Sequence, residues 1–78
     1  MKNSTDQQDH KLSQKEIILR FMKQGRRITP MKALQIAGSM NLAQRIADLR
    51  KDGHDQNIKV RDIKTPSGKY VAEYWWEE

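Results

Sequence analysis

The hydrophobic period of this chain changes once, and that change constrains the fold more than any other feature. Up to Gly53 the apolar residues recur at helical spacing; from Ile58 onward they alternate. A chain that is helical first and strand-forming last reads as α+β. With 78 residues it is expected to form one small domain without room for a second. It has no cysteine, which excludes disulfides and thiolate metal sites as staples and is compatible with a reducing cytoplasm. No apolar run is long enough to span a bilayer, and the first dozen residues are too polar for a signal peptide, so a bacterial cytoplasmic location is expected and no membrane partner.

Residues 1–12 have almost no apolar content and no period, and read as a disordered N-terminal arm preceding a domain over 13–78. Ser13 and Glu16 form an S-x-x-E capping box at the start of a first helix over about 13–24, with Ile17, Ile18, Phe21 and Met22 as its apolar face and Gly25 as its stop. Thr29-Pro30 starts a second helix, a threonine N-cap followed by proline at the first helical position. This helix is expected to run to about Ala37 with Ala33, Leu34 and Ala37 inward. Gly38-Ser39-Met40-Asn41 is a tight turn in which Ser39 or Asn41 can cap the third helix, over about 41–51. There Leu42, Ile46 and Leu49 make one buried stripe and Gly53 closes the helix.

Two short helices joined by a glycine-containing turn form a helix-turn-helix. After a polar loop from His54 to Asn57, Ile58–Arg61 read as a strand, Thr65-Pro66-Ser67-Gly68 as a turn, and Tyr70–Trp76 as a second strand. In the second strand Tyr70, Ala72, Tyr74 and Trp76 share the face assigned to the core. The pattern is a winged helix-turn-helix: three helices followed by a two-stranded β-wing.

Charge is unevenly placed. Residues 14–69 carry 13 Lys/Arg against 5 Asp/Glu, whereas the end carries Glu73, Glu77 and Glu78. A basic body with an acidic end suits a polyanion partner. In a helix-turn-helix the second helix of the pair enters the major groove and reads base edges near its N-terminus. The face opposite the buried stripe centres on Gln44, Asp48 and Lys51, with Asn41 and Arg45 on its flank; Asn41, Gln44 and Arg45 are the candidate base readers, since Asn and Gln pair with adenine and Arg with guanine. Asp48 is a further candidate with three open roles: accepting from cytosine, or pairing with Arg45 or with Lys51. Phosphate contacts are expected from Arg26, Arg27 and Lys32, aided by the free N–H groups of the second helix, and from Arg50 and Lys51. Wing residues Lys64, Ser67 and Lys69 either reach the DNA backbone or simply keep the hairpin tip soluble.

The stretch Ile28-Thr29-Pro30-Met31-Lys32-Ala33-Leu34 recurs in kind elsewhere, as does Leu42-Ala43-Gln44-Arg45-Ile46-Ala47-Asp48-Leu49-Arg50-Lys51-Asp52-Gly53. Together they resemble a family of small helix-turn-helix domains common in bacteriophage and prophage genomes. Ser67-Gly68-Lys69-Tyr70-Val71-Ala72-Glu73-Tyr74 resembles the wing of that family, so the likeness covers about residues 14–76. It implies a winged helix-turn-helix fold and binding of double-stranded DNA, without indicating an operator. Arg45, Asp48 and Arg50 match the motif, and Arg45 with Asp48 fits an ion pair fixing the helix as well as it fits readout. The polar N-terminal arm and the acidic, Trp-rich end extend the family pattern.

Trp75, pointing away from Trp76, is either a lid on the small core or an anchor for another chain, a homodimer or a host protein. No catalytic constellation or cofactor motif is present: His10 and His54 stand alone and Glu77-Glu78 is a chain end. The expected function is therefore non-enzymatic. Either the chain binds DNA as a phage repressor, activator or excisionase-like factor, or it is an interaction module using the same scaffold to bind and modulate a host protein.

Overall fold

The computed structural model describes residues 12–78. The expected arm, Leu12 apart, lies outside the described residues, as does His10. Three helices, α1 (Gln14–Lys23), α2 (Pro30–Ala37) and α3 (Leu42–Leu49), precede two strands, β1 (Ile58–Lys64) and β2 (Tyr70–Trp76). The expected three-helix, two-strand architecture is the observed one.

Each helix begins where a side chain can satisfy its free N–H groups. At α1 the Ser13 Oγ accepts from the Glu16 N–H (3.3 Å), while the Glu16 carboxylate accepts from the Ser13 N–H (3.0 Å). The Ser13 N–H, joined by the Ser13 hydroxyl donating to the same oxygen (3.2 Å), holds the Glu16 carboxyl below the usual carboxylate range. A depressed carboxyl contributes stability that is present above its unfolded-state pKa and is lost as pH falls through the lower folded value. Glu16→Gln keeps the box but not the titration. It is expected to flatten the acid limb of a melting-temperature profile recorded from pH 6 down to pH 3; parallel profiles for the two proteins would remove Glu16 from the acid response.

At α2 the Thr29 Oγ1 accepts from the Lys32 N–H (3.3 Å), Pro30 occupies the first helical position, and Gly38 at φ 66° ends the helix in the left-handed conformation. At α3 the Asn41 Oδ1 accepts from the Gln44 N–H (3.2 Å). Asn41 is thus the cap, and Ser39 is instead buried, with its hydroxyl unpartnered.

The core lies between the helices and the near half of the hairpin. Ile18 and Met22 of α1, Ala33 of α2, and Leu42, Ile46 and Leu49 of α3 meet Ile28 and Ile58 there, with Tyr74 and Trp76 packed on its edge. Ile28 does more than fill space. It exchanges two backbone hydrogen bonds with Tyr74, both 2.8 Å, so residue 28 acts as a one-residue third strand beside β2. The β1–β2 register pairs Ile58 with Trp76 and Val60 with Tyr74 on the core side, and Lys59 with Trp75 and Arg61 with Glu73 on the other.

Three expectations are corrected. Leu34 is 46% exposed, not inward. Ala33 and Ala37, four apart, already fill the inward stripe, and the third inward position goes to the half-buried Ile36. Tyr70 is 67% exposed because the hairpin runs out past the helices, so the core face of β2 is covered only toward its C-terminal half.

The third correction concerns the exit from α3. The α-helix stops at Leu49, the backbone widens into a π-type turn over Arg50–His54, and a 3₁₀ turn over Asp55–Asn57 leads into β1 where a polar loop was expected. Gly53 at φ 102° allows the reversal. The Arg50 guanidinium then ties the turn together, donating from Nη1 to the Asp55 carboxylate (2.7 Å), the Asp55 carbonyl (3.3 Å) and the Ile58 carbonyl (3.5 Å). Lys15 of α1 reaches the same turn through Asp52 (2.6 Å).

Candidate nucleic-acid interface

The three residues facing the core from α3 leave an outward face made of Ala43, Gln44, Ala47 and Asp48, continued by Lys51. Gln44 is exposed and donates from Nε2 to an Asp48 carboxylate oxygen (3.1 Å). Arg45 stands on the flank toward α1, where it shares a shallow cleft with Ser13, Gln14 and Lys15. Its Nε lies 3.1 Å from the other Asp48 oxygen, close enough for an ion pair, but the N–H is not aimed at that oxygen and has no acceptor. Of the roles open to Asp48, the structure shows pairing with Arg45 and adds the bond to Gln44; among the described residues Lys51 has no acidic partner. The pair is about a third exposed on both sides, so its contribution is expected to be below about 1 kcal/mol. Arg45→Ala is therefore expected to lower the melting temperature only slightly, which leaves any loss of DNA affinity readable in a binding titration. A large fall in stability would make Arg45 a structural residue alone.

The candidate phosphate contacts divide into two groups. Arg26, Lys32, Lys51, Lys64 and Lys69 are exposed and have no acidic partner among the described residues. Arg26 sits over the Phe21 ring at 5.5 Å. Arg27 and Arg50 are engaged. Arg50 builds the exit turn already described. Arg27 lies over the Trp75 ring at 4.1 Å and 3.6 Å from the Glu73 carboxylate, which also accepts from Arg61 (3.0 Å). On this outer sheet face Trp75 is covered by a guanidinium. Trp76, on the core side, is flanked by Lys23 at 4.9 Å and by His54 edge-on at 5.5 Å.

The N-terminus of α2 offers less than expected to an anion. Pro30 has no N–H and the Lys32 N–H is taken by Thr29, which leaves the Met31 N–H of the first turn.

A family model described as a winged helix-turn-helix domain matches residues 13–77. The chain belongs to the winged helix-turn-helix family. No curated protein and no solved structure matches it. In this winged helix-turn-helix domain the wing is the β1–β2 hairpin, and its tip is closed by the chain itself. The Thr65 N–H donates to the Lys69 carbonyl (2.7 Å), the Gly68 N–H to the Thr65 carbonyl (2.9 Å), and the hydroxyls of Thr65 and Ser67 lie 3.0 Å apart. Lys64 and Lys69 flank this tip, and among the described residues neither ammonium has an acidic partner.

Two features were not read from the sequence. One is the pair of alanines, Ala43 and Ala47, on the outward face of α3; alanines four apart opposite a leucine stripe were the available signal. The other is an apolar surface beside α2, where a groove of about 380 Å³ is lined by Pro30, Met31, Ile63, Pro66 and Val71 and continues to exposed Leu34 and Met40. Among the described residues no group of His, Asp or Glu could hold a metal, and no helix is long and apolar enough to cross a membrane.

Proposed function

We propose that this chain binds double-stranded DNA, without enzymatic chemistry, as a transcriptional regulator or excisionase-like architectural factor of a phage or prophage, acting in the bacterial cytoplasm. Helix α3 enters the major groove with Gln44 foremost; Asn41, Arg45 and Asp48 support it. The cations of Lys32, Lys51, Lys64 and Lys69 lie along the phosphates, joined by Arg26, with Ser67 at the wing tip. The observation that carries this reading is the open α3 face in a family of helix-turn-helix fold, together with five basic side chains that have no acidic partner among the described residues. Phosphate contacts of this kind give affinity and register, whereas the bases give specificity.

The test is fluorescence anisotropy of a labelled mixed-sequence duplex. Lys64→Ala combined with Lys69→Ala is expected to weaken binding by a similar factor on every duplex tried, since backbone contacts carry no sequence information. An unchanged affinity would remove the wing from the interface. Absence of binding to any duplex at low salt would overturn the reading and favour the alternative, a host-protein partner. That alternative is supported by the apolar groove beside Met31. It is not supported at Trp75, whose ring is already occupied by Arg27.

A further inference from the structure

The outward face of α3 is chemically narrow, and its narrowness bears on which bases it would accept. Resting on the DNA-binding reading, we infer that this domain reads A·T pairs through Gln44, on adenine, and through the methyl groups of Ala43 and Ala47, against thymine C5-methyls.

The side chains that would read a G·C pair are turned aside, already paired, or distant from Gln44. Guanine is most often read by a free Arg or Lys, and cytosine by a free carboxylate. Arg45 is turned onto the α1 flank beside Ser13, Gln14 and Lys15, and the Asp48 carboxylate accepts from Gln44 through one oxygen while the other is ion-paired with Arg45. Lys51 lies two turns beyond Gln44, at the end of the helix where backbone contacts are expected. Asn41 has its carbonyl oxygen on the Gln44 N–H. Its amide nitrogen can donate, but the donor–acceptor pair that recognises adenine is broken.

Gln44 remains. One of its two amide hydrogens goes to Asp48, which restricts its rotamer. The other hydrogen and the free Oε1 match adenine N7 and N6, an acceptor and a donor side by side on the major-groove edge. The bond to Asp48 also places the amide before any ligand arrives, so less side-chain freedom is lost on binding. Ala43 and Ala47 flank Gln44 at i−1 and i+3. Their Cβ atoms, one helical turn apart, are separated by about 6 Å, and base pairs follow one another every ~3.4 Å. The face therefore covers about two or three successive pairs. Alanine is among the side chains that pack on a thymine methyl, and both alanines lie on the outward face beside Gln44.

The experiment is selection of bound duplexes from a randomised pool by the full chain, followed by anisotropy on the enriched duplex. The expected outcome is a core of two or three A·T pairs. Replacing its thymines by uracil removes only the methyl groups, and is expected to weaken binding about fourfold per contacted methyl. Gln44→Ala, on an exposed helical position that alanine suits, is expected to reduce the preference for A·T over G·C about tenfold. An enriched core of G·C pairs would overturn the inference while leaving DNA binding in place. So would an A·T preference that survives both uracil and Gln44→Ala, because that preference would come from minor-groove shape. Failure to bind any duplex would overturn the inference together with the reading it rests on.

Discussion

Replacing Ile18 with alanine is expected to lower the melting temperature by about 10–30 °C. Ile18 is fully buried, and α1, which carries it, packs against α2, α3 and β2. Removing a buried Ile side chain costs about 2–5 kcal/mol, the transfer free energy plus the cavity left behind. A domain of this size has about 3–10 kcal/mol in all, so the variant stands at the margin of folding. The Ile17→Ala control, on a half-buried position of the same helix, is expected to lose far less. Thermal melting followed by circular dichroism decides it: similar small losses for both would show that α1 is not the keystone described above.

Duplex affinity is expected to fall about 500-fold between 50 and 200 mM salt, along a log–log slope of about −4.5. The figure follows from the five basic candidates without acidic partners, Arg26, Lys32, Lys51, Lys64 and Lys69, each neutralising one phosphate and releasing its counterion. If Arg27 and Arg50 also served, the slope would approach about −6. That would mean that Arg27 leaves Trp75 and Glu73, and that Arg50 leaves the exit turn. Anisotropy titrations at four or five salt concentrations separate the two. A flat profile would show that phosphates are not neutralised at all, and DNA would cease to be the partner.

What was legible in the sequence was what depends on near neighbours. The Thr29-Pro30 signal marked the start of α2 to the residue because a cap and a ring-fixed φ act locally. The limits of β2 were legible because Tyr70–Trp76 is a run rich in aromatic residues bounded by the Thr65–Gly68 turn and the terminal glutamates. The stripe of Leu42, Ile46 and Leu49 was legible from its helical spacing. What was hidden depends on the third dimension. Whether Leu34 faces in or out depends on where β2 lies. Arg27 meets Trp75 across 48 positions of sequence, and Arg50 is held at the exit turn only because Gly53 lets the chain bring Asp55 back beside it. Charged side chains count equally in a composition, yet in the folded chain two of the seven basic phosphate candidates, Arg27 and Arg50, already have acidic partners.

The Arg50 turn sets more than a local path. By clamping the exit of α3 to the entry of β1, it ties that helix to the base of the wing. On the DNA-binding reading proposed above, helix and wing then act on a duplex as a ruler as well as a reader. Adding one base pair between the stretch under α3 and the stretch under the wing shifts them apart by about 3.4 Å and rotates them by about 34° about the DNA axis. A joint tied by the Arg50–Asp55 pair and by bonds to two carbonyls opposes such a change. On that reading the length of the recognised site is set by the protein's own skeleton, independently of which bases fill it.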